Sequence, residues 1–238
     1  MVHSPRRPLT GSAQPSGSGG RGICLLVGRP DGAYIETKSA RVPLAAFRLK
    51  ERYLVQEILT QDERVAQLYP TSVNTIRTLT LLTRSNDVLV ASAVMRFGVG
   101  GAFVDNWSSG GIAIGVETAD GSLMKWAYDK RGRRFEVHPT TGVRFEGFQV
   151  PYWREVIALS DMVQRAVPAY KMVGLDVALT PAGPRVIEVN ANPDLVFQEQ
   201  TAGPLLRDRR VLEEFARYDL LTNRYQRELL SGGVERTA

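Results

Sequence analysis

The chain has 238 residues, 43% of them hydrophobic, enough for one large domain or two small ones. Thirty basic against 25 acidic residues give a formal charge of +5; that mild excess fits a nucleotide, and no dense Lys/Arg block argues for nucleic acid. A single cysteine, Cys24, excludes an internal disulfide, and no apolar run reaches the roughly 18 residues of a membrane span.

Residues 1–22 are rich in Ser, Gly and Pro and read as a flexible tail ending in Gly17-Ser18-Gly19-Gly20-Arg21-Gly22. No apolar stretch follows the N-terminal arginines, so no secretory leader is read and a cytoplasmic protein is expected. Residues 23–28 and 33–37 read as short strands around Arg29-Pro30-Asp31-Gly32. A short helix is expected over residues 44–52, then a buried strand over residues 53–59.

Residues 75–83 and 88–97 are strongly strand-like, joined by Arg84-Ser85-Asn86-Asp87. A four-residue loop pairs Thr83 with Val88 and puts Arg77 and Arg96 on one face. Residues 112–116 and 122–127 form a further pair. Pro151 opens a helix whose apolar stripe is Trp153, Val156, Ile157, Val163 and Val167, and Pro168 ends it. Residues 205–229 read as one or two charged amphipathic helices. Strands in the middle with helices flanking them argue for an α+β class with mainly antiparallel sheets.

The most informative segment runs from Gly174 to Asn190. It reads as two strands joined by a three-residue loop, Pro181-Ala182-Gly183, which pairs Thr180 with Pro184. Asp176 then lies opposite Glu188, and Asn190 opposite Gly174, with Val186, Glu188 and Asn190 sharing a face. Like charges directly opposite destabilise a sheet. A divalent cation removes that repulsion, and three oxygen-bearing side chains suit Mg²⁺ carrying phosphates. The alternative is a surface hairpin with solvated acids.

Other candidates gather around this patch. Arg77 and Arg96 offer fixed forks of donors for phosphate or carboxylate oxygens, or form ordinary salt bridges. Asn106 lies in a polar loop closed by Gly110-Gly111. His138 is a candidate base or substrate contact, or a structural histidine. Gly17, Gly19 and Gly22 match Gly-x-Gly-x-x-Gly, but a strand follows them, so the dinucleotide reading is rejected. A glycine-rich loop of this kind can still cover phosphates with backbone N–H groups.

These residues resemble the ATP-grasp superfamily, most closely the sugar-transfer-associated ATP-grasp family related to the alpha-L-glutamate ligases. The resemblance rests on residues 53–59, 72–78, 95–97, 104–106 with Gly110-Gly111, 138–142 and 174–193. It implies an ATP-grasp fold with Asp176, Glu188 and Asn190 holding one or two Mg²⁺ ions. Gln56, Glu57 and Ile58 would face the adenine. Gly17, Gly19, Gly20 and Gly22 would close over ATP, and Arg96 and Asn106 would contact phosphate. The implied chemistry is carboxylate–amine ligation through an acyl phosphate, in cell-surface polysaccharide or peptide modification. A non-catalytic nucleotide-binding relic and a phosphotransferase on a hydroxyl acceptor are the alternatives. The resemblance divides the chain at 1–22, 23–55 (partial small subdomain), 56–229 (large subdomain) and 230–238. The family's N-terminal lobe looks short here, with Arg7-Pro8 where a Lys-Pro pair is expected, so a partner supplying that lobe is a further expectation.

Overall fold

The computed structural model describes residues 11–13, 24–36, 40–48, 54–55 and 59–221. They form two antiparallel sheets. The first holds β1 (Gly11–Ala13), β2 (Cys24–Arg29), β3 (Gly32–Glu36), β4 (Arg41–Pro43) and β5 (Leu54–Val55), in the order β4-β3-β2-β1-β5. The second holds β6 (Thr75–Leu82), β7 (Val88–Phe97), β8 (Ile112–Val116), β9 (Leu123–Asp129), β10 (Arg134–Phe135), β11 (Met172–Thr180) and β12 (Gly183–Asn190), in the order β10-β9-β8-β7-β6-β11-β12. The helices are α1 (Glu63–Ala66), α2 (Trp153–Ala166), α3 (Leu195–Ala202) and α4 (Arg209–Arg217). The α+β class and the antiparallel sheets match the sequence reading.

The tail is a first correction: Gly11–Ala13 is a strand, paired with β2 on one side and β5 on the other. Of the helix expected over residues 44–52, the described part is a single 3-10 turn at Leu44–Ala46, after which Phe47 is extended, and residues 49–52 lie outside the described residues. None of its residues is buried, so no apolar face holds a longer helix in place. Helix α3 was not read from sequence. Its start is marked by Asp194, whose carboxylate accepts from the Phe197 N–H at 3.1 Å. Of the charged region expected over residues 205–229, the described part holds a 3-10 turn at Leu205–Arg207 and α4, capped by Asp208, and residues 222–229 lie outside the described residues.

One face of the second sheet carries the main core. Ile76, Met95, Ile114, Ala127, Leu175 and Val177 pack with Trp153 and Val156 of α2. Each large aliphatic fully buried here contributes roughly 1.5–3 kcal/mol. Helix α2 buries Trp153, Val156, Ser160 and Gln164, whereas Ile157, Val163 and Val167 are only partly buried. The stripe is therefore half polar. The reason is β6, which presents Thr78 and Thr80: Thr78 bonds Ser160 at 3.0 Å, and Thr80 donates to Gln164 at 2.7 Å.

Both hairpins that frame the other face differ from expectation in the same way. The β11–β12 loop has two residues, Pro181 and Ala182, because Thr180 pairs with Gly183. A bulge at Ile187 then restores the expected register, so Asp176 faces Glu188 and Gly174 faces Asn190. Likewise β6 and β7 start one residue out, with Leu82 opposite Val88, and a bulge at Ala91 brings Arg77 opposite Val94 as expected. The bulge at Ile187 also breaks the alternation. Val186 pairs with Val177 and joins the core, so it does not share a face with Glu188 and Asn190.

Candidate functional site

The site lies on the face of the sheet opposite α2. Alternation along β6, β7 and β11 brings Arg77, Arg96 and Asp176 to that face. Asp176 stands between Arg77 on β6 and Glu188 on β12, directly opposite both. The Arg77 guanidinium meets it side-on: Nε donates to Oδ1, and Nη2 to Oδ2 at 2.9 Å. Arg96 also donates to Oδ2, at 2.9 Å. The Asp176 side chain is 5% exposed and each arginine 12%. Gly174 makes this approach possible. A Cβ there would stand 3.2 Å from Cδ of Arg77 and 3.1 Å from Pro193.

Two further groups complete the network. Arg96 Nε donates to the Thr75 hydroxyl at 3.0 Å, and that hydroxyl donates to Asp105. Asp105 also accepts the Thr75 N–H at 2.9 Å and lies 3.5 Å from Arg96 Nε. Burial alone would lower the affinity of Arg96 for its proton. The nearby charges of Asp105, Asp176 and Glu188 outweigh it and hold Arg96 above its ordinary pKa. Glu188 is exposed. Asn190 is half-buried, and its amide donates to the Gly174 carbonyl at 3.4 Å. Two guanidinium groups thus face three carboxylates on one face.

The profile of the sugar-transfer associated ATP-grasp family matches residues 13–215. The chain belongs to that family. No curated protein matches it.

In this ATP-grasp chain the repulsion between Asp176 and Glu188 is met by arginine, not by a metal alone. Both Asp176 oxygens accept from guanidinium groups, Oδ1 from Arg77 and Oδ2 from Arg77 and Arg96. Among the described residues no group of three or more His, Cys, Asp or Glu could hold a metal ion. Glu188 and the Asn190 amide oxygen remain as donors. Two protein oxygens fit Mg²⁺ that brings water and phosphate oxygens with it; they do not make a self-sufficient cage.

Asn106 opens a 3-10 turn at Trp107–Ser109. Its backbone carbonyl accepts from Ser109 at 3.0 Å and Gly111 at 3.1 Å, and its side chain accepts from Ser108 at 3.2 Å. It is the adjacent Asp105 that reaches the arginines. Asp105 and Thr75 were both missed as site residues, although Asp105 sits beside Asn106 in the loop already singled out.

His138 is fully buried, stacked on Tyr69 with ring centroids 4.8 Å apart. Its Nδ1 accepts from Thr140 at 3.2 Å and Thr141 at 3.4 Å, so Nε2 carries the proton and donates to the Gly98 carbonyl at 2.9 Å. With both nitrogens used and no solvent contact, His138 is a structural residue and not a substrate contact. Burial pushes its pKa below the usual 6.5, against a smaller rise from the Gly98 bond. Gly17, Gly19, Gly20, Gly22, Gln56, Glu57 and Ile58 lie outside the described residues. No helix among the described residues is long and apolar enough to cross a membrane.

Proposed function

We propose that the chain is an ATP- and Mg²⁺-dependent carboxylate–amine ligase acting on a glycan- or peptide-linked acceptor. The observation that carries this reading is the convergence of Arg77, Arg96, Asp176 and Glu188 on one sheet face. A substrate carboxylate attacks the γ-phosphorus of ATP, forming an acyl phosphate and releasing ADP. An amine then attacks the carbonyl carbon, phosphate leaves, and the amine loses a proton. Charge accumulates on phosphoryl oxygens during the first step. Two arginines prepositioned on rigid strands are suited to stabilise it without reorganisation. Thr75 and Asp105 would hold Arg96 in place. Glu188 and Asn190 would hold Mg²⁺, which when bound neutralises phosphate charge.

The site supplies positioning and charge, and the chemistry asks for no protein nucleophile. Polysaccharide or peptide modification at the cell surface is the proposed setting. A non-catalytic nucleotide-binding reading draws on one observation, the capture of both Asp176 oxygens by arginine. Calorimetry with Mg-ATP on wild type and Glu188→Ala tests the binding reading. No Mg-dependent nucleotide binding by wild type would overturn it, and unchanged binding by the variant would remove Glu188 from the metal site. Trapping with hydroxylamine tests turnover: an acyl phosphate gives a hydroxamate, while a phosphate ester or an inactive relic gives none.

A further inference from the structure

The expectation of no dense Lys/Arg block is corrected at one place, where four of five successive residues are basic. The turn between β9 and β10 with the first residue of β10 reads Lys130-Arg131-Gly132-Arg133-Arg134, and every one of these residues is exposed. One buried carboxylate shapes the turn. Asp129 Oδ1 accepts the N–H groups of Arg131 and Arg133, both at 2.9 Å, and Oδ2 accepts Arg133 Nε at 2.7 Å. Gly132, at φ 78°, supplies the left-handed residue that closes it. Among the described residues Lys130, Arg131 and Arg134 make no ion pair. Like charges crowded on an exposed turn repel one another and gain from an anionic counterpart.

Aromatic rings lie immediately behind the cations. The Arg134 guanidinium sits 4.7 Å from the Trp126 ring centre, and the Lys125 ammonium 5.5 Å. Arg133 lies 5.9 Å from the Phe135 ring. Glu136 follows Phe135 and pairs with Lys125 at 3.5 Å, and Val137 beyond it is 38% exposed. We propose that this hairpin docks the protein on the surface of an anionic lipid bilayer. Exposed basic side chains over a half-buried Trp126 match the chemistry of the headgroup region, where charge meets phosphate and an indole ring lies at the interface. Single-stranded nucleic acid fits less well. It needs an open aromatic face for base stacking, and cations already cover the Trp126 ring. The proposal does not depend on the ligase reading.

The test is co-sedimentation of the full chain with vesicles of phosphatidylcholine mixed with phosphatidylglycerol, and with pure phosphatidylcholine. Each basic side chain near an anionic surface is worth about a fivefold gain in partitioning. Wild type is expected to bind the mixed vesicles at low salt, to leave them at high salt and to ignore the neutral ones. The triple variant Lys130→Gln, Arg131→Gln, Arg134→Gln is expected to bind about a hundredfold more weakly while keeping the wild-type circular dichroism spectrum. Trp126 fluorescence, isolated by comparison with Trp126→Phe, is expected to shift to the blue on binding. Failure of wild type to bind the mixed vesicles, or equal binding by the folded triple variant, overturns the proposal. So does displacement from the vesicles by duplex DNA at equal phosphate concentration, which would identify nucleic acid as the ligand.

Discussion

Arg77 and Asp176 stand 99 positions apart in the chain, yet they face each other across β6 and β11 as a two-point, nearly buried ion pair. Asp176 shares its second oxygen with Arg96. Removing the carboxylate charge leaves two buried guanidinium groups under-compensated. Asp176→Asn is expected to lower folding stability by about 3–5 kcal/mol in urea denaturation. Adding Arg77→Met is expected to recover part of that loss, because the stranded charge goes with it. A cost near zero for the single variant would show that solvent screens the pair.

The donor set predicts how the metal enters. Among the described residues the proposed donors for Mg²⁺ alone are Glu188 and Asn190, so it is expected to leave the thermal midpoint unchanged. Mg²⁺ with ATP is expected to raise it, as any ligand of the native state does. Glu188→Gln is expected to weaken Mg-ATP binding about tenfold, about 1.4 kcal/mol, without lowering the midpoint of the unliganded protein, because Glu188 is exposed. A midpoint raised by Mg²⁺ alone would point to a preformed metal cage.

On the opposite face, Gln164 joins Thr80 and the Tyr170 carbonyl, at 2.7 and 2.8 Å. Gln164→Ala takes the amide donor from the Tyr170 carbonyl and leaves the Thr80 hydroxyl with the Val173 carbonyl at 3.3 Å, and is expected to cost about 1–3 kcal/mol. Combining Gln164→Leu with Thr80→Val removes the buried hydroxyl and amide together, and is expected to cost less than Gln164→Ala. Equal costs would show that packing, not hydrogen bonding, sets the value.

His138 predicts a pH dependence. Its folded pKa is depressed below 6.5, so the unfolded chain binds the proton more readily. Stability from this residue is therefore complete above about pH 6.5 and falls as pH drops below that value. Thermal midpoints are expected to decline between about pH 7 and 5.5, before most carboxylates titrate, and the decline is expected to flatten in His138→Gln. A wild-type midpoint flat over this range would contradict a neutral buried imidazole.

Much of the site was legible in local pattern. Alternation with period two, counted back from the loop read at each turn, assigned Arg77 and Arg96 to one face and paired Asp176 with Glu188 and Asn190 with Gly174. That pairing is right although both loop lengths were misjudged by one residue. The bulges at Ala91 and Ile187 absorb the difference. A bulge has no strong local signature, because it is selected by how the whole strand must twist and pair. For the same reason Val186, placed with Glu188 by alternation, turns into the core.

The sequence by itself determined the antiparallel α+β class and the main strands of the larger sheet. Those follow from short-range periodicity and turn chemistry. Only the tertiary structure decided what balances the Asp176 charge, that Asp105 and Thr75 hold Arg96, and that His138 is walled in by Tyr69, Phe97 and Phe145. These depend on which distant strands become neighbours. Coulombic and desolvation energies act through space, so a carboxylate in β11 is answered by guanidinium groups from β6 and β7, with no trace of that choice in the residues around it.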